Sequence, residues 1–157
     1  MRIAVLGIGQ TLRGDDGAGP EAVRLWSAGF LLPLPGHILR HDILETPGLG
    51  LIDSLQECDS ALLVDAVSTG KPPGTLSVFA PIPETGLSAA EKTAHGFGVA
   101  ETLTLARRSG QRLPDRLVLL GIEGEQYELG KGMSDPVRAV LPRAAAEIQR
   151  IISEFVG

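Results

Sequence analysis

The sequence predicts an α/β fold in which five strands alternate with helices, four of the strands parallel and the fourth antiparallel. Three observations predict it. Continuous apolar runs at Ile3–Ile8 and Ala61–Val64 have the length and composition of strands buried on both faces. Segments of helical period lie between the strand-like runs. The connection from the third strand to the fourth, residues 68–74, is a turn cluster too short for a parallel crossover, which needs a dozen or more residues. The fourth strand is therefore expected to run antiparallel at an edge.

The first strand, Ile3–Ile8, breaks at Gly7 and Gly9 and passes through a polar loop to Asp15-Asp16-Gly17. A helix follows, with Pro20 in its first turn, Ala22, Val23, Leu25 and Trp26 as its apolar face, and Gly29 as a stop. Residues 30–36 are a connector. His37–Leu44 reads as the second strand, Thr46-Pro47-Gly48 as a turn, and Gly50–Glu57 as a short helix. Ser60–Val67 is the third strand and Thr75–Ala80 the fourth. Residues 81–94 carry turn formers and no periodicity, as long functional loops do. They lead to His95-Gly96 and a helix over Phe97–Ser109. Arg116–Ile122 is the fifth strand, Gly124–Gly132 a loop containing Tyr127, and Ser134-Asp135-Pro136 the cap of a last helix. The buried stripe of that helix includes Val137, Val140, Leu141, Ala144, Ile148, Ile151 and Ile152.

Composition narrows the function classes. A chain of 157 residues with a hydrophobic fraction of 43% suits one domain, residues 1–157, around a single core. A net charge of −5 argues against a nucleic-acid surface. No apolar run reaches the ~18 residues a membrane helix needs, and the first residues lack the pattern of a secretory signal. Cys58 is the single cysteine, so neither a disulfide framework nor a cysteine zinc cluster is available. These features lead to the expectation of a cytoplasmic protein, and its place late in a helical pattern makes Cys58 a buried thiol rather than a nucleophile.

The stretch Arg2–Glu21 is where chemistry is expected, because the loop leaving a first strand's carboxyl end is a usual ligand site in open α/β sheets. A dinucleotide site fits poorly. Gly7 and Gly9 match the Gly-x-Gly-x-x-Gly fingerprint, but the next glycine is Gly14, and Asp15-Asp16 would repel a phosphate. No Gly-Lys-Ser/Thr follows, which excludes a P-loop. Asp15-Asp16 has two readings. One aspartate can cap the helix, where a carboxylate is worth roughly 0.3–1 kcal/mol; a second is unnecessary for capping and leaves a metal or catalytic role open. Asp65 ends the third strand, on the same rim of the sheet as Asp16, and a charge at the end of a buried strand is costly unless solvated, paired or metal-bound. His95 precedes a helix after the long loop; read alone, it is a loop or cap histidine. Asp16, Asp65 and His95 together form a set suited to Ni, Zn, Fe or Mn with positions left for substrate or water. His37 and His41 lie at the start and middle of the second strand, away from the expected crevice.

Nearly the whole chain resembles the nickel–iron hydrogenase maturation endopeptidases. The similarity is carried by IAVLGIGQTLRGDDGAG, by ALLVDAVSTGKPPGTL with Asp65 and Pro73-Gly74, by His95-Gly96 opening a helix, and by LVLLGIEGEQYELGKGMS with the closing helix. The resemblance implies a three-layer fold, a five-stranded, mostly parallel twisted sheet flanked by helices on both faces. It implies an endopeptidase, aspartic-type or metal-assisted, that removes a C-terminal extension from a hydrogenase large-subunit precursor after nickel insertion. It further implies that the nickel, supplied by the precursor, is the recognition signal, contacted by Asp16, Asp65 and His95 as catalytic and metal-contacting residues; no organic cofactor is implied. Gln10 stands where the family usually has Asn. Glu45-Thr46-Pro47 replaces the Gly-Gly-Thr or Gly-Thr many members carry after the second strand, in a loop placed for substrate selection. A second reading is a nickel-sensing maturation chaperone or checkpoint protein that inspects the precursor without cutting it. A small-molecule α/β hydrolase ranks last, because the chain lacks a Gly-x-Ser-x-Gly elbow.

Overall fold

A computed structural model describes residues 1–30, 34–87 and 98–157. Among them run β1 (Arg2–Ile8), a 3-10 turn (Gly14–Gly17), α1 (Ala18–Gly29), β2 (Ile38–Leu44), α2 (Leu49–Gln56), β3 (Ser60–Val67), β4 (Leu76–Phe79), α3 (Val99–Arg108), β5 (Arg116–Glu123) and α4 (Asp135–Val156). The strands form one five-stranded sheet in the order β2-β1-β3-β5-β4. β1 pairs in parallel with both β2 and β3, and β3 in parallel with β5. β4 pairs antiparallel with β5 and closes one edge, as the short connection before it required.

Helices cover both faces. Ile3 and Val5 of β1 and Leu62, Val64 and Ala66 of β3 pack against α1 and α4. The alternate residues, Ala4, Leu6 and Ile8 with Ala61, Leu63 and Val67, pack against α2 and α3. This is the period of two that makes a central strand apolar on both sides. Trp26 fills the first layer fully buried, its indole N–H donating to Gln149 on α4 (2.9 Å). His41 sits mid-strand opposite Val5 with its ring edge-on to Trp26, centroids 5.8 Å apart, well short of the strand ends. Cys58 is buried in the second layer, its thiol donating to the Ser54 carbonyl (3.1 Å). The buried-thiol expectation holds.

The element boundaries shift by one or two residues from expectation, as helix and strand ends commonly do. One shift has chemical content. β5 runs past Ile122 to Glu123, so its carboxyl end brings a buried carboxyl group to the rim. Pro142 lies inside α4, where the sequence pattern alone gives no break.

The connectivity places a crevice. From β1 the chain steps to β2 on one side, while β3 lies on the other, so the loops leaving β1 and β3 diverge between those two strands. Ligand sites in open α/β sheets gather at such switch points, outside the strand carboxyl ends. α1 starts directly over this point. A Cβ on Gly19 would come within 2.2 Å of the Val64 carbonyl oxygen and 2.9 Å of that of Ile8. Only glycine lets the helix approach the strand ends this closely.

Candidate active site

Register brings the predicted acidic residues together. Ile8, the last residue of β1, is the direct partner of Asp65 on β3. Gly9 follows Ile8 at φ +143°, and a Cβ there would stand 3.4 Å from the Asp16 carboxyl carbon and 1.8 Å from its backbone oxygen. The chain therefore folds back so that Asp16 lies against the residue next to Asp65's partner, and Gly9 permits the turn. Asp16 is 6% exposed and Asp65 5%. The Gln10 N–H donates to Asp16 Oδ2 (2.8 Å). By the strand's alternation Asp65 belongs to the α2/α3 face, with Leu63 and Val67, where Val99 opens α3. His95 lies outside the described residues. Among the described residues no group of three or more metal-ligating side chains is gathered.

The two neighbouring aspartates have different surroundings, and neither occupies the N-cap position of α1. α1 has Gly17 at its N-cap, with no side-chain cap bond, and the 3-10 turn likewise has none. Asp15 is fully buried and accepts four hydrogen bonds from across the chain. Glu125 N–H (2.8 Å), Gln126 N–H (3.1 Å) and the Ser134 hydroxyl (2.9 Å) reach Oδ2, and Ser134 N–H (2.7 Å) reaches Oδ1. Ser134 occupies the N-cap position of α4, but its hydroxyl is turned to Asp15 and not to the helix. Backbone bonds extend the seam: Asp15 N–H to Gln126 O (2.7 Å), Gly14 N–H to Lys131 O (3.0 Å) and Gly130 N–H to Leu12 O (2.9 Å). The loop that carries Asp16 is thus stitched to the loop after β5.

A second buried carboxyl group braces the other side of the crevice. Glu123 accepts from Thr69 N–H (2.8 Å to Oε2) and from the Thr69 hydroxyl, pinning the chain just past β3. Beside it the Tyr127 hydroxyl donates to the Val67 carbonyl (3.2 Å) and shares a hydrogen bond with the Ser68 hydroxyl (2.9 Å). Sequence reading passed over Glu123, Tyr127 and the structural role of Asp15. The signal for Glu123 was present: an acidic residue directly after an apolar strand, the same pattern that picked out Asp65.

Burial pushes the Tyr127 phenol up to about 12 from its ordinary 10.0; the Ser68 hydrogen bond opposes the rise, and the charges of Glu123, Asp15 and Asp65 add to it. A folded-state pKa above the unfolded one means the neutral phenol's contribution is intact below about pH 10 and fades as pH climbs toward 12. Tyr127→Phe should remove this dependence. In denaturant melts from about pH 9 to pH 11.5, the stability gap between wild type and the variant should shrink by about 1–2 kcal/mol, allowing for the partial exposure of the ring. A gap that stays constant would place the phenol in an ordinary environment.

Comparison with known proteins agrees with this architecture. A family model described as hydrogenase maturation protease (HycI) matches residues 44–151, an interval that includes Asp65 and His95. Relatives that also span the Asp16 loop include the hydrogenase expression/formation protein HoxM of Azotobacter vinelandii, 32% identical over 99% of this chain and 72% of its own length. The hydrogenase 2 maturation protease of Escherichia coli (strain K12) is 28% identical over 98% of this chain and 92% of its own. Among solved structures, the hydrogenase maturating endopeptidase HybD from E. coli superposes with a TM-score of 0.77 at 26% identity, covering 98% of this chain and 93% of that one. The same five-stranded sheet, one antiparallel pair and helices on both faces, follows from both sequence and structure. With a model match across well over half of its length and a relative above 30% identity along nearly all of it, the chain belongs to the hydrogenase maturation protease family.

Proposed function

We propose that the protein is the endopeptidase that removes a C-terminal extension from a nickel–iron hydrogenase large-subunit precursor, and that it recognises the nickel already inserted there. The observation that carries this reading is the pair of buried acidic side chains at the switch point of the sheet: Asp65 on β3, in register with Ile8 at the end of β1, and Asp16 in the 3-10 turn that folds back against Gly9. Carboxylate oxygens suit a divalent transition ion carried in by the substrate, and imidazole is a common companion donor. His95 is the third proposed contact; it precedes α3, which begins on the face to which Asp65 belongs.

The proteolytic step needs a water molecule to lose a proton as it attacks the scissile carbonyl. One of the carboxylates of Asp16 and Asp65 is proposed to take it and to return it to the amide nitrogen as the C–N bond breaks, in the manner of aspartic-type catalysis. Docking of the precursor's metal centre would hold the peptide bond beside them, converting an encounter into an intramolecular geometry.

The experiment compares precursor carrying nickel with the same precursor lacking it. Incubation with the protein should shorten the nickel-loaded chain by the mass of its C-terminal extension and leave the nickel-free chain intact, read by mass spectrometry. Equal cleavage of both would remove nickel from recognition. Binding of the loaded precursor without any mass loss would favour a checkpoint protein that inspects without cutting.

A further inference from the structure

We propose that Leu12 and Leu129 form an apolar platform at the mouth of the crevice, on which the folded body of the precursor rests while its processed segment enters. The inference rests on the proteolytic reading above and names the surface that holds the substrate. Among the described residues the three most exposed large apolar side chains are Leu49 (79%), Leu12 (73%) and Leu129 (73%). All three stand on the carboxyl rim of the sheet: Leu12 in the loop after β1, Leu49 opening α2 just after β2, and Leu129 in the loop after β5.

Single exposed leucines are ordinary. Leu12 and Leu129 are not isolated, because the Gly130 N–H donates to the Leu12 carbonyl and brings the two loops side by side. The frame beneath them is rigid. Asp15 locks one loop to the other through four hydrogen bonds, and Gly14, at φ +55°, sits so close that a Cβ would be 2.5 Å from the Gln126 carbonyl oxygen. A braced loop has little backbone freedom left to lose when a partner covers it, so the ordering cost falls on the two leucine side chains alone, which favours binding.

The occupant follows from position. Leu12 and Asp16 share the connection between β1 and α1, so a protein whose chain end reaches Asp16 comes to this rim. A second copy of the chain seated there would close the crevice to substrate. The complementary surface is an apolar patch on the precursor beside the segment to be removed.

The test is the Leu12→Ser/Leu129→Ser double variant in initial-rate cleavage of nickel-loaded precursor, with Leu25→Ser, an exposed leucine on the far half of α1, as control. The double variant should melt with wild type, raise KM about tenfold and change kcat less than about twofold. The control should match wild type in both. An unchanged KM in the double variant, with wild type cleaving normally, would overturn the platform and leave the proteolytic reading standing. A wild-type dimer in sedimentation that becomes monomeric in the double variant at unchanged KM would assign the leucines to a second copy instead. If wild type itself fails to cleave, the proteolytic reading falls and the platform with it.

Discussion

Asp16→Asn should fold and melt like wild type yet lose precursor cleavage, by about 10²–10⁴-fold in rate if the carboxylate acts in proton transfer, and more if it also contacts the metal centre. The physical basis is the isosteric change. The Gln10 N–H donates to Oδ2, and an asparagine carbonyl oxygen accepts that bond equally well. What asparagine lacks is the negative charge and the proton-accepting oxygen. Mass spectrometry of the precursor reports the first effect and a thermal melt the second. Cleavage at the wild-type rate would take Asp16 out of the site, and a lowered melting temperature would reassign it to the fold.

The adjacent residue should behave in the opposite way. Asp15→Ala is expected to destabilise the protein by about 3–4 kcal/mol, since three backbone N–H groups and a hydroxyl lose their acceptor inside the protein and each unsatisfied donor costs about 1–3 kcal/mol before relaxation. For a chain of this size that lowers the melting temperature by roughly 10 °C. Asp15→Asn should fare little better, because its NH₂ group would face donors where the carboxylate had only acceptors. Cleavage by the surviving folded fraction should also drop, as the turn carrying Asp16 is no longer tied to the loop after β5. A melting temperature within 2–3 °C of wild type, on the order of 1 kcal/mol at this size, would show that the four bonds are replaceable by water.

The contrast between these neighbours shows how far local sequence reaches. Both aspartates satisfy the same local rule, an acidic residue ahead of a helix, and the rule needs only one of them without saying which. Capping is decided by dihedral angles and by the position of the helix's first N–H groups, and here Gly17 takes that position. The partners that claim Asp15 lie at residues 125, 126 and 134, and no periodicity connects them to residue 15. Asp65 was legible because burial of a strand on both faces is written in its composition, which makes a charge at its end conspicuous. Glu123 carries the same local signal directly after Ile122, but its role rests on Thr69, a partner 54 residues away that local pattern does not supply.

The sequence by itself determined the class of fold, the antiparallel sense of β4, the burial of the first and third strands on both faces, and the rim of the sheet to which Asp65 and the Asp16 loop come. These are consequences of chain length, apolar period and turn chemistry, all of which act between residues close in sequence. Only the tertiary structure decided that β1 lies between β2 and β3, that Asp65 is in register with Ile8, and that Asp15 is a brace while Asp16 remains at the crevice. Strand order and register are chosen by contacts between segments far apart in the chain, where packing and hydrogen-bond satisfaction compete across the whole core.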